Sequence, residues 1–360
     1  MDQTLTGFVA SVNGESHLRV EHDFGGGFVR LRTSEAERRQ AAQDIRNSES
    51  IVLELLRNSR DAHASRIYVA MSREGDKRQL VVVDNGDGIP KDMHDHVFEP
   101  RVTSKLDTSH MDAWGMHGRG MALYSIRVNA QDARVADSAP SLGCSIRVET
   151  NVKDLPERKD QSSFPTFELA ESGSVNVRGP KNILRTTCEF AIESRDSCAV
   201  YIGSPVEIAA SLYAYGLSAL SAIDRAFCKD AFQLPLVKRL AATADPESFS
   251  EVASAMGLDV SPRSARRIID GELDGLEPIL ERVSIVRHGQ NQPRRNGKAP
   301  RMEDARSFKL AKEDAAHLAA TVSEAFSDIA QRYYLEEGVE PSIRSSKHRI
   351  LISIPIVKRP

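Results

Sequence analysis

Little in this chain points to an extracellular, membrane or metal-centred protein. Four cysteines, Cys144, Cys188, Cys198 and Cys228, are spread over 360 residues. None forms a C-x-x-C pair and no histidine stands beside them at zinc-finger spacing. They read as free thiols in a reducing compartment, which sets aside a disulfide framework and a cysteine metal site. No run approaches the roughly 18 apolar residues that a membrane-spanning helix needs, and the N-terminus carries no apolar segment of the secretory type. Cytoplasmic residence is the expectation. A net charge of −3 excludes a chain that binds polyanions with its whole surface, so any nucleic-acid contact needs a local basic patch.

What is present describes an ordinary globular protein, 40% apolar and 28% charged. The length is too great for one small core and predicts two domains or slightly more. Segments 5–12 and 17–20 read as short strands broken at Asn13-Gly14, and Gly25-Gly26-Gly27 is a joint before 28–31. From Ser34 the pattern turns helical, with Ser34 as N-cap and Glu37 as its capping-box partner. A second helix runs over 48–63. Segments 66–71 (RIYVAM) and 79–83 (QLVVV) read as strands joined by a charged turn at Gly75-Asp76. A long irregular segment leads to Gly115 and a helix at 118–128. Segments 145–150, 186–192 and 199–202 read as strands, with a charged loop at 155–161. Beyond Pro205 strand signals stop, and 206–227, 236–244, 249–256, 262–269 and 276–283 read as helices. The expected division is 1–204, 205–286 (helical), a basic linker 287–310, and 311–360 with a helix and a strand.

Three segments carry chemistry. In Glu54-Leu-Leu-Arg-Asn58-Ser-Arg-Asp61-Ala62, Glu54, Asn58 and Asp61 stand at i, i+4 and i+7 and share a helix face. A carboxylate there can deprotonate a water, and an amide oxygen one turn later can ligate Mg²⁺; the same stripe also reads as a solvated face. Asp84-Asn-Gly86-Asp-Gly88-Ile89-Pro90 directly follows an apolar strand. A strand-end carboxylate can accept the exocyclic amine of adenine, and small glycines let a flat base approach the backbone; alone, the segment reads as a plain turn. Gly115-Met-His117-Gly118-Arg119-Gly120-Met-Ala122-Leu123 leads into a helix, where glycine-rich backbone amides form an anion site suited to a triphosphate.

Their order and spacing together resemble the GHKL ATPases, the superfamily of gyrase, Hsp90, histidine kinases and MutL. ELLRNSRDA (54–62) is similar to the N-box, DNGDGIP (84–90) to the G1 box, and HGRGMALYSI (117–126) to the G2 box. FEPRVTSK (98–105) is similar to the lid segment of MutL-type members. The resemblance covers about 35–203. It implies an α+β fold of the Bergerat type, a sandwich of a mixed sheet with helices on one face, followed here by a mostly helical C-terminal region. It implies ATP with Mg²⁺, Glu54 as general base and Asn58 as magnesium ligand. Asp61 would support the helix–loop junction. Asp84 would hold the adenine amine, with Gly86 and Gly88 beside the base. Thr103, Ser104 and Lys105 would lie in a lid spanning about 91–114. Gly118, Arg119 and Gly120 would wrap the phosphates. A threonine on a late strand near the adenine aspartate is a family feature, and Thr187 is its candidate, with Thr186 close behind.

Glu54 argues against a histidine kinase, a class that typically lacks this carboxylate, and no phospho-acceptor histidine stands on a helix upstream. His94-Asp-His96 reads as surface loop and Trp114 as a lid anchor. Segment 249–267 is faintly similar to the helix-two-turn-helix insert in the ATPase component of topoisomerase VI, and reads equally as a plain helical bundle. Arg287, His288, Arg294, Arg295, Lys298, Arg301 and Arg306 make 287–306 basic, fit for a phosphate backbone or for a soluble tether. MutL and the topoisomerase VI ATPase follow the nucleotide-binding domain with a transducer whose lysine reaches the γ-phosphate. No full β-α-β transducer is legible, and Lys298, Lys309 and Lys347 are candidates by type alone. With no nuclease motif and no topoisomerase tyrosine, DNA cleavage would need a separate partner protein. Two expectations follow. One is an ATP-operated clamp or switch in DNA repair, topology or defence that forms a homodimer on ATP. The other is an Hsp90-like or signalling ATPase acting on partner proteins.

Overall fold

The computed structural model describes residues 20–104, 110–112, 115–117, 120–159, 164–169, 175–228, 230–282, 285–287, 312–333, 335–336, 339, 341–345 and 350–356. The chain forms two compact units, Met1–Gln290 and Asn291–Pro360. The first opens with β1 (Val20–Gly25) and β2 (Phe28–Leu31), an antiparallel pair. Helix α1 (Glu35–Asp44) starts at Ser34. The Ser34 hydroxyl accepts the Glu37 amide while the Glu37 carboxylate returns to Ser34, the reciprocal cap expected from the sequence. Helix α2 (Ser48–Asp61) is capped by Asn47, whose side chain accepts the Ser50 amide at 3.0 Å.

Strands β3 (Arg66–Glu74) and β4 (Lys77–Asp84) follow as an antiparallel pair. After 3-10 turns at Lys91–Met93 and His96–Phe98, β5 (Val102–Thr103) joins β2. Strands β6 (His110–Asp112) and β7 (Gly115–His117) pair with each other, and α3 (Ala122–Asn129) leads to the β8 (Asp132–Ala139) and β9 (Gly143–Asn151) hairpin. Strands β10 (Thr166–Leu169) and β11 (Val175–Arg178) pair antiparallel. Then come α4 (Ile183–Glu193), β12 (Ala199–Gly203), α5 (Pro205–Ala219) and α6 (Ala222–Phe227). Turns of 3-10 helix at Ala231–Gln233 and Leu236–Ala242 precede α7 (Pro246–Ala255), α8 (Pro262–Ile269) and β13 (Ile285–Arg287), which runs parallel to β10.

The central sheet has the order β12-β3-β4-β9-β8, with β12 parallel to β3 and the other neighbours antiparallel. Its middle strands read as unbroken apolar runs because both faces are covered. Ile67, Val69, Leu80, Val82, Ile146 and Val148 point to one face and pack with Ile51, Val52, Leu55 and Leu56 of α2, Ile126 of α3, and Ile183 and Phe190 of α4. The alternate residues Tyr68, Ala70, Val81 and Val83 point to the other. They meet Ile208 and Leu212 of α5, Leu236 and Leu240 of the second 3-10 turn, Phe249 of α7 and Ile268 of α8. Within the first 204 residues the helices thus lie on one face of a mixed α+β sheet, as the resemblance implied. The helical region that follows covers the opposite face, inside the same compact unit. Each fully buried Leu, Ile, Val or Phe contributes about 1.5–3 kcal/mol.

Two secondary-structure expectations are overturned: 276–282 holds turns and irregular chain where a helix was expected, and the second concerns α4. Segment 186–192 is not a strand but lies within α4, nucleated by Asn182, whose side chain accepts the Arg185 amide at 2.9 Å. The cap and the apolar stripe Ile183, Leu184, Thr187, Cys188 and Ala191 outweigh the strand preference of Thr-Thr-Cys. The second unit holds α9 (Lys312–Arg332) and the antiparallel pair β14 (Ser342–Ser345) and β15 (Ile350–Ser353). Lys298, Lys309 and Lys347 lie outside the described residues.

Candidate functional site

Helix α2 sets the site because its two sides want different surroundings. Ile51, Val52, Leu55 and Leu56 face the sheet, while Glu54, Asn58 and Asp61 remain half-buried on the adjoining side. Arg57, itself buried, donates Nη1 to Glu54 Oε1 at 2.6 Å and fixes that carboxylate against the helix. Asp61 pairs with Arg60 Nε at 3.3 Å, and the Arg60 guanidinium lies 5.5 Å over the Phe190 ring. The Asn58 amide nitrogen is buried with no hydrogen-bond partner. A buried donor left this way costs about 1–3 kcal/mol, so packing alone does not explain it.

Asp84 ends β4 and is 5% exposed. Its carboxylate is held from two sides: Ser59 Oγ donates to Oδ2 at 2.7 Å and the Gly86 amide to Oδ1 at 2.9 Å. Sequence reasoning misses Ser59. Its one local signal is a small hydroxyl on the Leu55–Ser59–Ala62 side of the helix, next to Asn58.

The turn after Asp84 is locked to the structure around it. A Cβ on Gly86 would fall 2.4 Å from the Ala62 carbonyl oxygen, so α2 and the turn approach as only glycine allows. Gly88 has φ +75° and faces the Ala139 carbonyl at the β8–β9 hairpin, where a Cβ would stand 2.0 Å away. These two glycines are required by backbone contact, whatever they do for a ligand. The Asp87 amide donates to Ala62 O at 2.8 Å, the Ser141 amide to Asp87 O at 2.6 Å and the Ile89 amide to Ser138 Oγ at 2.7 Å. His94 Nε2 lies 3.2 Å from both the Ile89 and Ser138 carbonyls, and His96 Nδ1 bonds Glu99 at 2.8 Å.

Thr187 does not stand on a strand. It is fully buried on α4, its hydroxyl donating to Ile183 O at 2.9 Å. The residue paired with Asp84 across β4 and β9 is Cys144, and Ser138 pairs with Cys144 across β9 and β8. Burial pushes the Cys144 thiol well above its usual range, the Asp84 charge adds to this, and a Ser138 hydrogen bond opposes it. Asp84, Cys144 and Ser138 thus form one row across three strands, which no local spacing reveals.

Thr103 is half-buried on β5 and Ser104 is exposed beside it. A Cβ on Gly120 would meet Arg101 at 3.2 Å and Thr103 at 3.3 Å, so the start of α3 packs on the segment expected to form the lid. Lys105, Trp114, Gly118 and Arg119 lie outside the described residues. The structure therefore joins α2, the β4 end and the β8–β9 hairpin, and separately joins Thr103 to Gly120. A cleft of about 250 Å³ lies elsewhere, lined by Asn47, Glu49 and Ser50 at the start of α2, with Arg158, Lys181 and Arg185 among its other walls. It does not include Asn58 or Asp84. Among the described residues no helix is long and apolar enough to cross a membrane.

Residues 43–154 match the profile of a family described as "Histidine kinase-, DNA gyrase B-, and HSP90-like ATPase". The DNA mismatch repair protein MutL of Pseudothermotoga lettingae is 41% identical over 176 residues, covering 48% of this chain and 31% of that protein. MutL of Chlorobium phaeobacteroides is 35% identical over 140 residues, 38% of this chain and 22% of its own. MutL of Staphylococcus carnosus is 36% identical over 156 residues, 37% and 24%. The match to these relatives spans less than a third of their length. A solved structure of the mycobacterial sensor histidine kinase MprB aligns at 23% identity and a TM-score of 0.21, over 34% of this chain and 75% of that one.

Proposed function

From the premise that residues 43–154 form a GHKL ATPase domain related to that of MutL, we propose that this chain binds ATP with Mg²⁺ and hydrolyses it. Its role would be that of a nucleotide-gated, dimerising switch in DNA transactions. The observation that carries the reading is the buried Asp84 carboxylate. Ser59 and Gly86 hold it, and Ser59 directly follows Asn58, whose amide is orphaned. A buried carboxylate at a strand end suits the exocyclic amine of adenine as its hydrogen-bond donor. Glu54, steadied by Arg57, would take the proton of the attacking water. Gly120, beside Thr103, would offer its backbone to the phosphates, together with Gly118 and Arg119. Ser104 and Lys105 would belong to the lid.

The donor set fits magnesium. Asn58 offers one hard amide oxygen, and this ion takes one or two protein ligands and completes its shell with phosphates and waters. When bound, it would offset phosphate charge as the terminal phosphoryl group leaves. Asp61, tied to Arg60, would brace the C-terminal end of α2. The DNA role rests on the MutL relatives and on the basic 287–306 stretch, and cleavage would fall to a partner nuclease.

The test is steady-state ATP turnover of the purified chain, with and without duplex DNA, beside Glu54→Ala, with binding followed by calorimetry. DNA-stimulated turnover that falls with salt supports the switch in DNA transactions. Turnover indifferent to DNA but changed by a co-purifying protein supports the Hsp90-like or signalling alternative. Absence of ATP binding by the wild-type chain overturns the proposal.

A further inference from the structure

The adenine side of the site is held from behind. The β8–β9 hairpin carries the turn after Asp84 through Ser138, Ser141 and Ala139, and that hairpin is itself fastened to the helical layer. The Leu236 amide donates to Leu142 O at 2.8 Å at the hairpin tip. Arg239, 1% exposed, donates Nη1 to Asp137 of β8 and Nε to Leu234 O at 2.9 Å, with its guanidinium 5.5 Å over the Phe232 ring. Asp137 sits at a register shift of β8, immediately before Ser138. Ser138 Oγ donates to Gly143 O at 2.8 Å and accepts the Ile89 amide at 2.7 Å.

We propose that Arg239 is a positioning residue for nucleotide binding. Through Asp137 it fixes the 137–143 hairpin on which the Asp84–Ile89 turn is seated. The proposal rests on the reading of Asp84 as the adenine-binding carboxylate. Arg239 lies well outside the matched stretch 43–154, so the helical layer would contribute to a site whose contact residues all come from elsewhere. Electrostatics add to the geometry. Asp137 and Asp84 both act on Cys144, so two carboxylates flank one buried position, and Arg239 balances the one that does not meet the base. Without Arg239, Asp137 loses its partner and the hairpin loses its side-chain tie to the helical layer at β8, keeping the backbone tie at Leu142.

The experiment uses the full chain with Arg239→Met, Asp137→Asn and the double variant. ATP binding is read by calorimetry, turnover as KM and kcat, and backbone order by amide hydrogen exchange without nucleotide. Each single variant should raise Kd and KM for ATP about tenfold and leave kcat at saturation within about twofold. Exchange at Ile89 and Ser141 should quicken at least about tenfold while the centre of α2 is unchanged. The double variant should be no worse than either single, since both break the same link. Additive losses, a fall in kcat with KM unchanged, or unaltered exchange in a chain that binds ATP normally would overturn the proposal alone. A wild-type chain that does not bind ATP would overturn it together with the underlying reading. If Arg239→Met does not fold, Asp137→Asn, whose carboxylate is 23% exposed, gives the same split of KM from kcat.

Discussion

Helices α2 and α5 flank the central sheet on opposite faces, each with a side-chain cap at its start and an apolar side against the strands, yet they treat their polar groups differently. On α5, Ser211 is 4% exposed, and its hydroxyl both donates to Glu207 O at 2.8 Å and accepts the Leu276 amide at 2.8 Å. That hydroxyl both donates and accepts within the fold. On α2, Asn58 keeps a buried amide with no partner, Glu54 is half-buried beside a buried arginine, and Ser59 spends its hydroxyl on the Asp84 carboxylate. One helix is finished by packing, and the other leaves hydrogen-bonding capacity over. Capacity left unused in a folded chain has a stability cost, and of these two helices α2 carries it and α5 does not.

The comparison breaks most visibly if its two helices are mutated in parallel. Glu54→Ala on α2 should lower ATP turnover by about 10²–10⁴-fold while ATP binding stays near wild type. Ile208→Ala on α5, at a fully buried position, should cost about 2–5 kcal/mol of stability and leave turnover per folded molecule unchanged. Steady-state kinetics with denaturant titration reads both. Loss of nucleotide binding in Glu54→Ala, in step with turnover, would remove its assignment as general base.

Asp84→Asn comes next. It keeps the shape and removes the charge that accepts from Ser59 and Gly86 and, in the proposed function, from the adenine amine. A hydrogen bond to a charged group is worth about 1.5–3 kcal/mol, so ATP affinity should fall roughly ten- to a hundredfold, with weaker discrimination against GTP. Unchanged affinity by calorimetry would mean that the buried carboxylate serves only the turn.

These outcomes depend on how much of the molecule is legible in its sequence. The Ser34–Glu37 cap, α2, β3 and β4 are legible because each is fixed by neighbours within a few residues. The placement of Glu54 and Asn58 on one helix and of Asp84 at a strand end is legible for the same reason. What escapes is non-local. Thr187 reads as a strand residue because its neighbours favour strands, whereas the cap at Asn182 and the packing of Phe190 and Cys188 decide for helix. Cys144 and Ser138 meet Asp84 only through the register of three strands. Arg239 reaches Asp137 across 102 positions of sequence. Strand β8 itself goes unread, so the hairpin that carries Ser138 and Cys144 is known from the structure alone.

A smaller effect sharpens the comparison in the opposite sense. Asn58→Ala removes an orphaned donor and improves helix propensity, so it should stabilise the chain by about 1 kcal/mol while weakening magnesium-dependent turnover. Ser211→Ala on α5 strips a satisfied hydroxyl and leaves the Leu276 amide without its acceptor, so it should destabilise by about 1–3 kcal/mol with turnover intact. Chemical denaturation gives both signs. If the two variants shift stability in the same direction, α2 is not under-satisfied and the contrast between the faces is lost.

The smallest expected effect is a pH dependence at the start of α2. Glu49 is 5% exposed and its Oε2 has no partner, although Oε1 accepts the Arg158 amide at 2.9 Å. An acidic residue in a first helical turn ordinarily gains from the helix dipole. Here burial outweighs that and raises its pKa above the ordinary 4.5, with the nearby Glu157 charge adding to it. An acid with a raised folded pKa holds its proton in the native state after the unfolded chain has released it. Native protein then binds more protons than unfolded, and stability falls as pH rises from the ordinary glutamate value through the folded one. Glu49→Gln removes that titration. Its stability relative to wild type should therefore grow as pH rises from about 4 to about 7, a range that brackets the carboxylate titration. Denaturation curves of the two proteins across that range measure the difference. A gap that stays constant or narrows with rising pH would show that the Glu49 carboxylate is compensated in the fold, which would leave Asn58 as the sole under-satisfied group on this side of α2 among those compared.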